Sequence, residues 1–243
     1  MILPGRHRCV LFDVDGTIAE TEGRAHLPAF NRAFADAGLS WHWRTEDYRQ
    51  LLKTAGGFER LLRYAEQRGD DIDDDVLRDR LKQVHQLKNR HVAQIMRAGA
   101  VPARIGFRAL VMTLARNGIA WGVVTTTSRA NWDALWNDSL APLVIPEPAV
   151  IVCGEDVRAK KPDPEAYQLA LKRLGLPASS CCAIEDSRNG LLAACLAGLP
   201  VAVVKSEFFA DERFDEATLI VDELSDLVAC LDGRSVAVSE QTV

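Results

Sequence analysis

The sequence predicts an α/β protein with a mainly parallel sheet, interrupted after its first strand by an all-helical insert. Three observations carry that prediction. The apolar run Cys9-Val10-Leu11-Phe12 leads into two acids and a turn at Gly16, as a short buried strand would. From Val101 onward, short apolar runs alternate with segments of helical period, the pattern of strand–helix–strand crossovers. Between these two regions, from residue 20 to about residue 98, only helical periodicity occurs.

Each element follows from local chemistry. Leu27, Phe30, Ala33, Phe34 and Ala37 fall on one helical face, and Gly38 stops that helix. Thr45 is placed to cap a helix over 46–53, Gly56-Gly57 breaks the chain, and helix resumes over 58–68. Trp41 and Trp43 are expected in the core of the insert. Asp73-Asp74-Asp75 opens a long helix reaching about Arg97, and acids at a positive helix N-terminus account for this run better than a metal site does. Phe107, Leu110, Val111 and Leu114 form the next helical stripe, ended by Asn117-Gly118. Strands are expected over 119–124 and, after a connection containing Pro142, Pro146 and Pro148, over 150–154. Asp163 and Pro164 look like the N-cap and first position of a helix that Gly175 stops. A strand over 181–184, a helix over 189–197, and strands over 201–204 and 219–221 complete the pattern. Residues 233–243 have little to bury and are expected to fray. The expected division is a Rossmann-like core formed by 1–19 and 99–243, with a helical cap over 20–98.

Composition narrows the function. The 243 residues are 48% hydrophobic and 26% charged, ordinary for a globular protein. A net charge of −5 argues against a nucleic-acid or anionic-membrane partner. No apolar stretch approaches the ~20 residues of a membrane span, and residues 1–8 lack the apolar region of a secretion signal. A cytoplasmic monomer with no obligate protein partner is expected. The six cysteines show no metal-ligand spacing and read as small apolar residues; the neighbours Cys181 and Cys182 would point to opposite faces of a strand.

The chemistry is concentrated at strand ends, where open α/β sheets bind ligands. Asp13-Val14-Asp15-Gly16-Thr17 brings two carboxylates, a turn and a hydroxyl together after the first strand. One carboxylate can attack phosphorus and form an acyl-phosphate; the other can protonate a leaving oxygen and later take a proton from water. Thr125, in Val124-Thr125-Thr126-Thr127-Ser128, can donate a hydrogen bond to a phosphoryl oxygen. Pro162 favours an extended conformation at Lys161, whose ammonium can then reach over the charged centre. Glu185 and Asp186 end a buried strand, where two acids are costly unless paired or bound to a cation.

Taken in this order, the four segments resemble the haloacid dehalogenase (HAD) superfamily of phosphotransferases, and the resemblance covers essentially the whole chain. It implies a HAD-like fold with Asp13 as nucleophile, Asp15 as general acid and base, and Thr125 and Lys161 holding the transferring phosphoryl group. It also implies Mg2+, bound by Asp13, the backbone carbonyl of Asp15, and Asp186, with Glu185 acting through water or in the outer shell. The helical insert is placed as in the branch that includes β-phosphoglucomutase and phosphoglycolate phosphatase.

Further residues, namely Ala19-Glu20-Thr21-Glu22, His26, Ala29-Phe30-Asn31, Trp41-His42-Trp43, Tyr48 and Gly56-Gly57, resemble the CbbY-type sugar-phosphate phosphatases. Those enzymes hydrolyse xylulose-1,5-bisphosphate, a misfire product that inhibits Rubisco, which implies a role beside the Calvin cycle. By this resemblance Glu22, His26 and Tyr48 face the substrate, with Gly57, Arg60 and Thr126 as further binding residues. One position departs from the pattern: Phe58 stands where relatives carry Lys or Arg, a residue suited to a distal phosphate. Arg60, Lys53 or Arg63 would have to replace that cation, or the substrate lacks a second phosphate. Ile105, where relatives often carry Pro, reads as a loop detail. The other readings are a sugar phosphomutase, a phosphatase of a monophosphate such as phosphoglycolate, and a catalytically silent binding protein.

Overall fold

The central strand of the sheet is β1 (Cys9–Phe12), with all four residues buried. It pairs in parallel with β2 (Ala120–Val124) on one side and β4 (Cys181–Glu185) on the other, so that Phe12 lies between Val123 and Ile184. The computed structural model describes residues 7–231. Among them β3 (Ile151–Val152), β5 (Val201–Val204) and β6 (Leu219–Val221) complete a parallel sheet of order β3-β2-β1-β4-β5-β6. The direction of winding reverses between β1 and β4, which opens a crevice at their carboxyl ends.

Strand alternation sends side chains to two layers. Val10, Phe12, Cys182, Ile184, Ala202 and Val204 pack on one face beneath α5 (Phe107–Arg116), α6 (Arg129–Leu135) and α9 (Leu224–Leu231). Cys9, Leu11, Cys181, Ala183, Val201 and Val203 pack on the other beneath α7 (Glu165–Leu174) and α8 (Arg188–Leu196). Cys181 and Cys182 therefore do face opposite ways, and all six thiols are free.

Between β1 and α5 the chain is helical. A π-helical turn (Glu22–His26) runs into α1 (Leu27–Asp36), followed by α2 (Thr45–Leu51), α3 (Gly57–Gln67) and α4 (Asp75–Arg97). These helices bury an aromatic cluster of their own: Phe30, Phe34, Trp41, Trp43 and Tyr48, with Phe30 and Trp43 rings 4.5 Å apart. Phe208, from the loop after β5, plugs into the same cluster and fastens the helices to the sheet. Asp74 caps α4 by accepting from the Val76 N–H, so part of the acidic run serves the helix end, as its position suggested.

Several local expectations need correction. Thr45 is the first residue of α2 rather than its cap; Arg44 takes the cap position, with its N–H donated to Asp47. Pro164, not Asp163, takes the cap position of α7, and the Asp163 carboxylate instead accepts from the Glu165 N–H. β3 is two residues long because the Gly154 N–H turns to the Thr127 carbonyl. Helices α6 and α9 were not expected. No helix among the described residues is long and apolar enough to cross a membrane. The expected fraying over 233–243, and most of the segment 1–8, lie outside the described residues.

Candidate active site

Asp13 is the first residue beyond β1, and its N–H still follows the sheet, donating to the Ile184 carbonyl at 3.0 Å. Its side chain meets Lys161, which approaches from the loop before α7. The Lys161 Nζ lies 2.6 Å from Asp13 Oδ1, 2.6 Å from Glu185 Oε1 and 2.7 Å from the Val124 carbonyl. The Tyr167 hydroxyl donates to the same Glu185 oxygen at 2.5 Å. Burial disfavours the charge on Lys161, but the two carboxylates outweigh it and hold the ammonium above its usual range.

Asp186 lies in the same crevice. Its carboxyl is pushed well above the usual range, first by burial and then by the charge of Asp13. Carboxylate oxygens of Asp13, Glu185 and Asp186 lie within 4.8 Å of one another. Glu185 Oε2 and Asp186 Oδ2 are both buried without a hydrogen-bond partner. Three buried carboxylates that each bring an oxygen to one spot, two of them with a further oxygen left unpartnered, are a donor set that suits a hard divalent cation, so the residues fit such an ion. Gly16, at φ +89°, shapes the floor of this spot, because a Cβ there would overlap Asp186 Oδ2.

Asp15, two residues beyond Asp13, lines the same chamber but is turned toward the helices. Its Oδ1 accepts from the Thr21 hydroxyl at 2.5 Å and lies 3.0 Å from His26 Nε2. Burial raises this carboxyl, but the charge and hydrogen bond of His26 and the bond from Thr21 prevail and hold it at about 2. A carboxylate at such a site, free of the Lys161 pair, can carry a proton between a substrate oxygen and water.

The remaining expected residues gather around the same space with one distinction. Thr126 reaches both chambers of the cavity, whereas the buried Thr125 hydroxyl accepts from the Thr127 N–H at 3.1 Å. Glu22, His26, Gly57 and Arg60 line the main chamber of about 120 Å3, and Asp13, Asp15, Lys161 and Asp186 line an adjoining one of about 50 Å3. Tyr48 stands behind this wall, fully buried. Its hydroxyl donates to Glu22 at 2.5 Å and accepts from Arg60 at 3.2 Å. Tyr48 thus orients Glu22 and Arg60 and does not line the cavity.

Sequence reasoning missed Thr21, Tyr167, His85 and Lys88. Lys88 is the most consequential. It comes from the middle of α4, is 4% exposed, lines the main chamber and meets only Asn89, at 3.4 Å, and the face of Phe30. Burial lowers it to about 8 against the attraction of Glu22. Of the three proposed replacements for the cation missing at position 58, only Arg60 lines the cavity. Lys53 is exposed, and Arg63 pairs with Glu66 on the surface. Phe58 itself packs toward the His85 ring.

Residues 7–198 match the family model described as haloacid dehalogenase-like hydrolase. Over 225 residues, the chain is 42% identical to the plasmid-encoded protein CbbY of Cupriavidus necator, covering 90% of this chain and 86% of that protein. It is 39% identical to protein CbbY of Rhodobacter capsulatus, covering 90% and 94%. Among solved structures, it is similar to a mutant of CbbY from Rhodobacter sphaeroides in complex with xylulose-1,5-bisphosphate. The TM-score is 0.82 at 37% identity, covering 91% of this chain and 96% of that one.

Proposed function

The chain belongs to the haloacid dehalogenase-like hydrolase family and to its CbbY group, and it is a phosphatase; from that premise we propose that it hydrolyses a small sugar bisphosphate, with xylulose-1,5-bisphosphate as the best candidate. The observation that carries this reading is the distribution of cations around one cavity. Lys161 sits at the strand end beside Asp13, while Arg60 and Lys88 are buried on the helical side. A substrate carrying phosphate at both ends matches a site with cations on two walls. The mutant of CbbY from R. sphaeroides whose solved structure is in complex with xylulose-1,5-bisphosphate supports the same choice. Removal of a Rubisco inhibitor beside the Calvin cycle is the physiological role this implies.

In the proposed reaction a carboxylate oxygen of Asp13 attacks phosphorus in line with the sugar oxygen. The phosphorus–oxygen bond to the sugar breaks, and Asp15 gives that oxygen its proton. Asp15, now a carboxylate, takes a proton from water as the water oxygen attacks the phosphorus of the aspartyl-phosphate. Phosphate leaves and Asp13 is restored. The low value of Asp15 in the free site suits its part as base, and a phosphate dianion arriving beside it raises the carboxyl for its part as acid. Lys161 offsets charge on the phosphoryl oxygens, Thr126 lines the cavity, and the buried Thr125 supports the loop behind it. Mg2+, held by Asp13, Asp186 and the Asp15 carbonyl with Glu185 behind them, would supply further neutralisation of phosphate charge. The helices over 20–98 act as a cap that excludes bulk water and selects the substrate.

The test is phosphate release, with Mg2+ present, from xylulose-1,5-bisphosphate, ribulose-1,5-bisphosphate, phosphoglycolate and common hexose monophosphates. Preference for xylulose-1,5-bisphosphate supports the reading. Preference for a monophosphate would favour the alternative that Phe58 suggests, a pocket without a distal phosphate.

A further inference from the structure

Arg104 lies where the chain returns from the helices to the sheet. Its neighbour Ala103 bridges Ala19 in the outgoing segment, and the Arg104 N–H donates to the Ile18 carbonyl at 2.8 Å. The side chain is 7% exposed and runs beneath the Asp15 turn. One guanidinium nitrogen donates to the Gly16 carbonyl at 2.5 Å and lies 3.4 Å from Glu20. The other donates to the Lys205 carbonyl at 2.7 Å and the Asp222 carbonyl at 3.2 Å, and lies 3.5 Å from Glu223. One planar group therefore ties the Asp15 turn to the loops after β5 and β6 and to both segments joining helices and sheet.

Side chains hold the two ends of this turn, Thr21 and His26 at Asp15 and the Thr17 hydroxyl at Asp186 Oδ1 at 3.4 Å, but Arg104 holds its tip. Val14 accepts the N–H groups of Thr17, Ile18 and Ala19, which closes the turn internally, but the Gly16 carbonyl points out of that ring and is taken by Arg104. Loss of the Arg104 bond would free the turn over 14–19 to shift as a unit, and Asp15, inside that turn, would shift with it relative to Thr21 and His26. The same shift would also move the turn against Asp186, where Gly16 already leaves no room for a Cβ. A lysine at this position has no rigid fork with which to hold carbonyls from three segments at once.

We propose that Arg104 is a positioning residue: through the Gly16 carbonyl it fixes the direction of Asp15, and thereby controls proton delivery to the leaving oxygen. The inference rests on Asp15 acting as the acid. It makes the effect of losing Arg104 depend on the leaving group, which a general loosening of the fold does not. A phenolate made weakly basic by a nitro group departs without help from an acid, whereas unsubstituted phenolate needs the proton.

The experiment compares phenyl phosphate with p-nitrophenyl phosphate in the wild type and in Arg104→Lys, with Mg2+ present. Folding is checked by far-UV circular dichroism and thermal melting. In the variant, kcat/KM, which reports departure of the leaving group and not the later hydrolysis of the aspartyl-phosphate, should fall about tenfold or more for phenyl phosphate and change less than about threefold for p-nitrophenyl phosphate. Equal losses on the two substrates overturn the proposal. If the Lys variant does not fold, Arg104→Gln is compared in its place, and failure of both to fold overturns it too, making Arg104 a structural residue only. Sugar phosphates run alongside separate this inference from the proposed function: a wild type inert toward all of them sinks that function, and the aryl pair still judges Arg104.

Discussion

The Nζ of Lys161 lies 2.6 Å from Oδ1 of Asp13, a contact between residues 148 positions apart in the chain. It brings the loop before α7 over the end of β1, and the same ammonium reaches Glu185 at the end of β4. Lys161 thereby joins both sides of the crevice where the sheet reverses its winding.

Lys161→Met should therefore cost both stability and activity. Two buried carboxylates lose their cation, and breaking a buried pair from one side costs about 3–5 kcal/mol. Urea unfolding reads the stability loss, and phosphate release should fall at least about 100-fold, the scale of one lost electrostatic contact to the transition state. A variant as stable and active as the wild type would show that the contact is incidental.

Gly16→Ala should be damaging although it adds one methyl group. The backbone there sits at φ +89°, and the new Cβ would overlap Asp186 Oδ2. Strain of roughly 1–3 kcal/mol should appear as a lower melting temperature. Turnover should fall further than the melting point explains, because the turn that carries Asp15 must shift.

Lys88 gives a signed pH dependence. Its ammonium is buried and holds its proton only up to about pH 8. As pH rises through that value the cavity loses a positive charge, so KM for a sugar bisphosphate should climb while the wild type stays folded. Burial of this charge also weakens the fold. The depressed value means that the penalty is fully present below about pH 8 and is relieved as pH rises toward the ordinary lysine range. In Lys88→Met, KM should be higher at neutral pH and flat across this window. Measuring KM from pH 6.5 to about 9.5 covers the transition.

Glu59→Gln should do little to stability. Lys160 and Glu59 pair at 2.8 Å across the helix–sheet junction, but both are partly exposed, and such pairs are worth about 0–1 kcal/mol. Urea unfolding with a midpoint close to the wild type is expected; a loss beyond ~1 kcal/mol would mark this pair as a principal fastening between the two parts.

The sheet was legible because its strands are buried on both faces and read as unbroken apolar runs, as at 9–12 and 201–204. The acidic strand ends were equally legible, since Asp13 and Asp15 come just after the run at 9–12, and Glu185 and Asp186 just after the apolar run at 181–184. Helix α6 escaped notice because Arg129, Asn131 and Asp133 leave it no clean apolar stripe, although Trp132 is buried against Trp136 just beyond its end. Helix α9 is only eight residues long, and its buried face becomes apparent only when Leu224 and Leu227 pack into the cluster beside α5. Lys88 was hidden for a different reason. In a helix as polar as α4 it resembles its solvated neighbours, and only the packing of α4 on α1 turns it into the cavity. Arg104 and Thr21 lie in connecting segments, where sequence period carries no information on direction.

The central claim is that Asp13 is the nucleophile of a sugar-phosphate phosphatase. Its most direct test is phosphate release from xylulose-1,5-bisphosphate by the wild type and by Asp13→Asn, each shown to be folded and assayed with Mg2+. The account predicts brisk release by the wild type and loss of at least about 1,000-fold in the variant, since the amide cannot form the aspartyl-phosphate. Near-normal turnover by Asp13→Asn would contradict it, because the reaction would then proceed without the carboxylate on which every step depends.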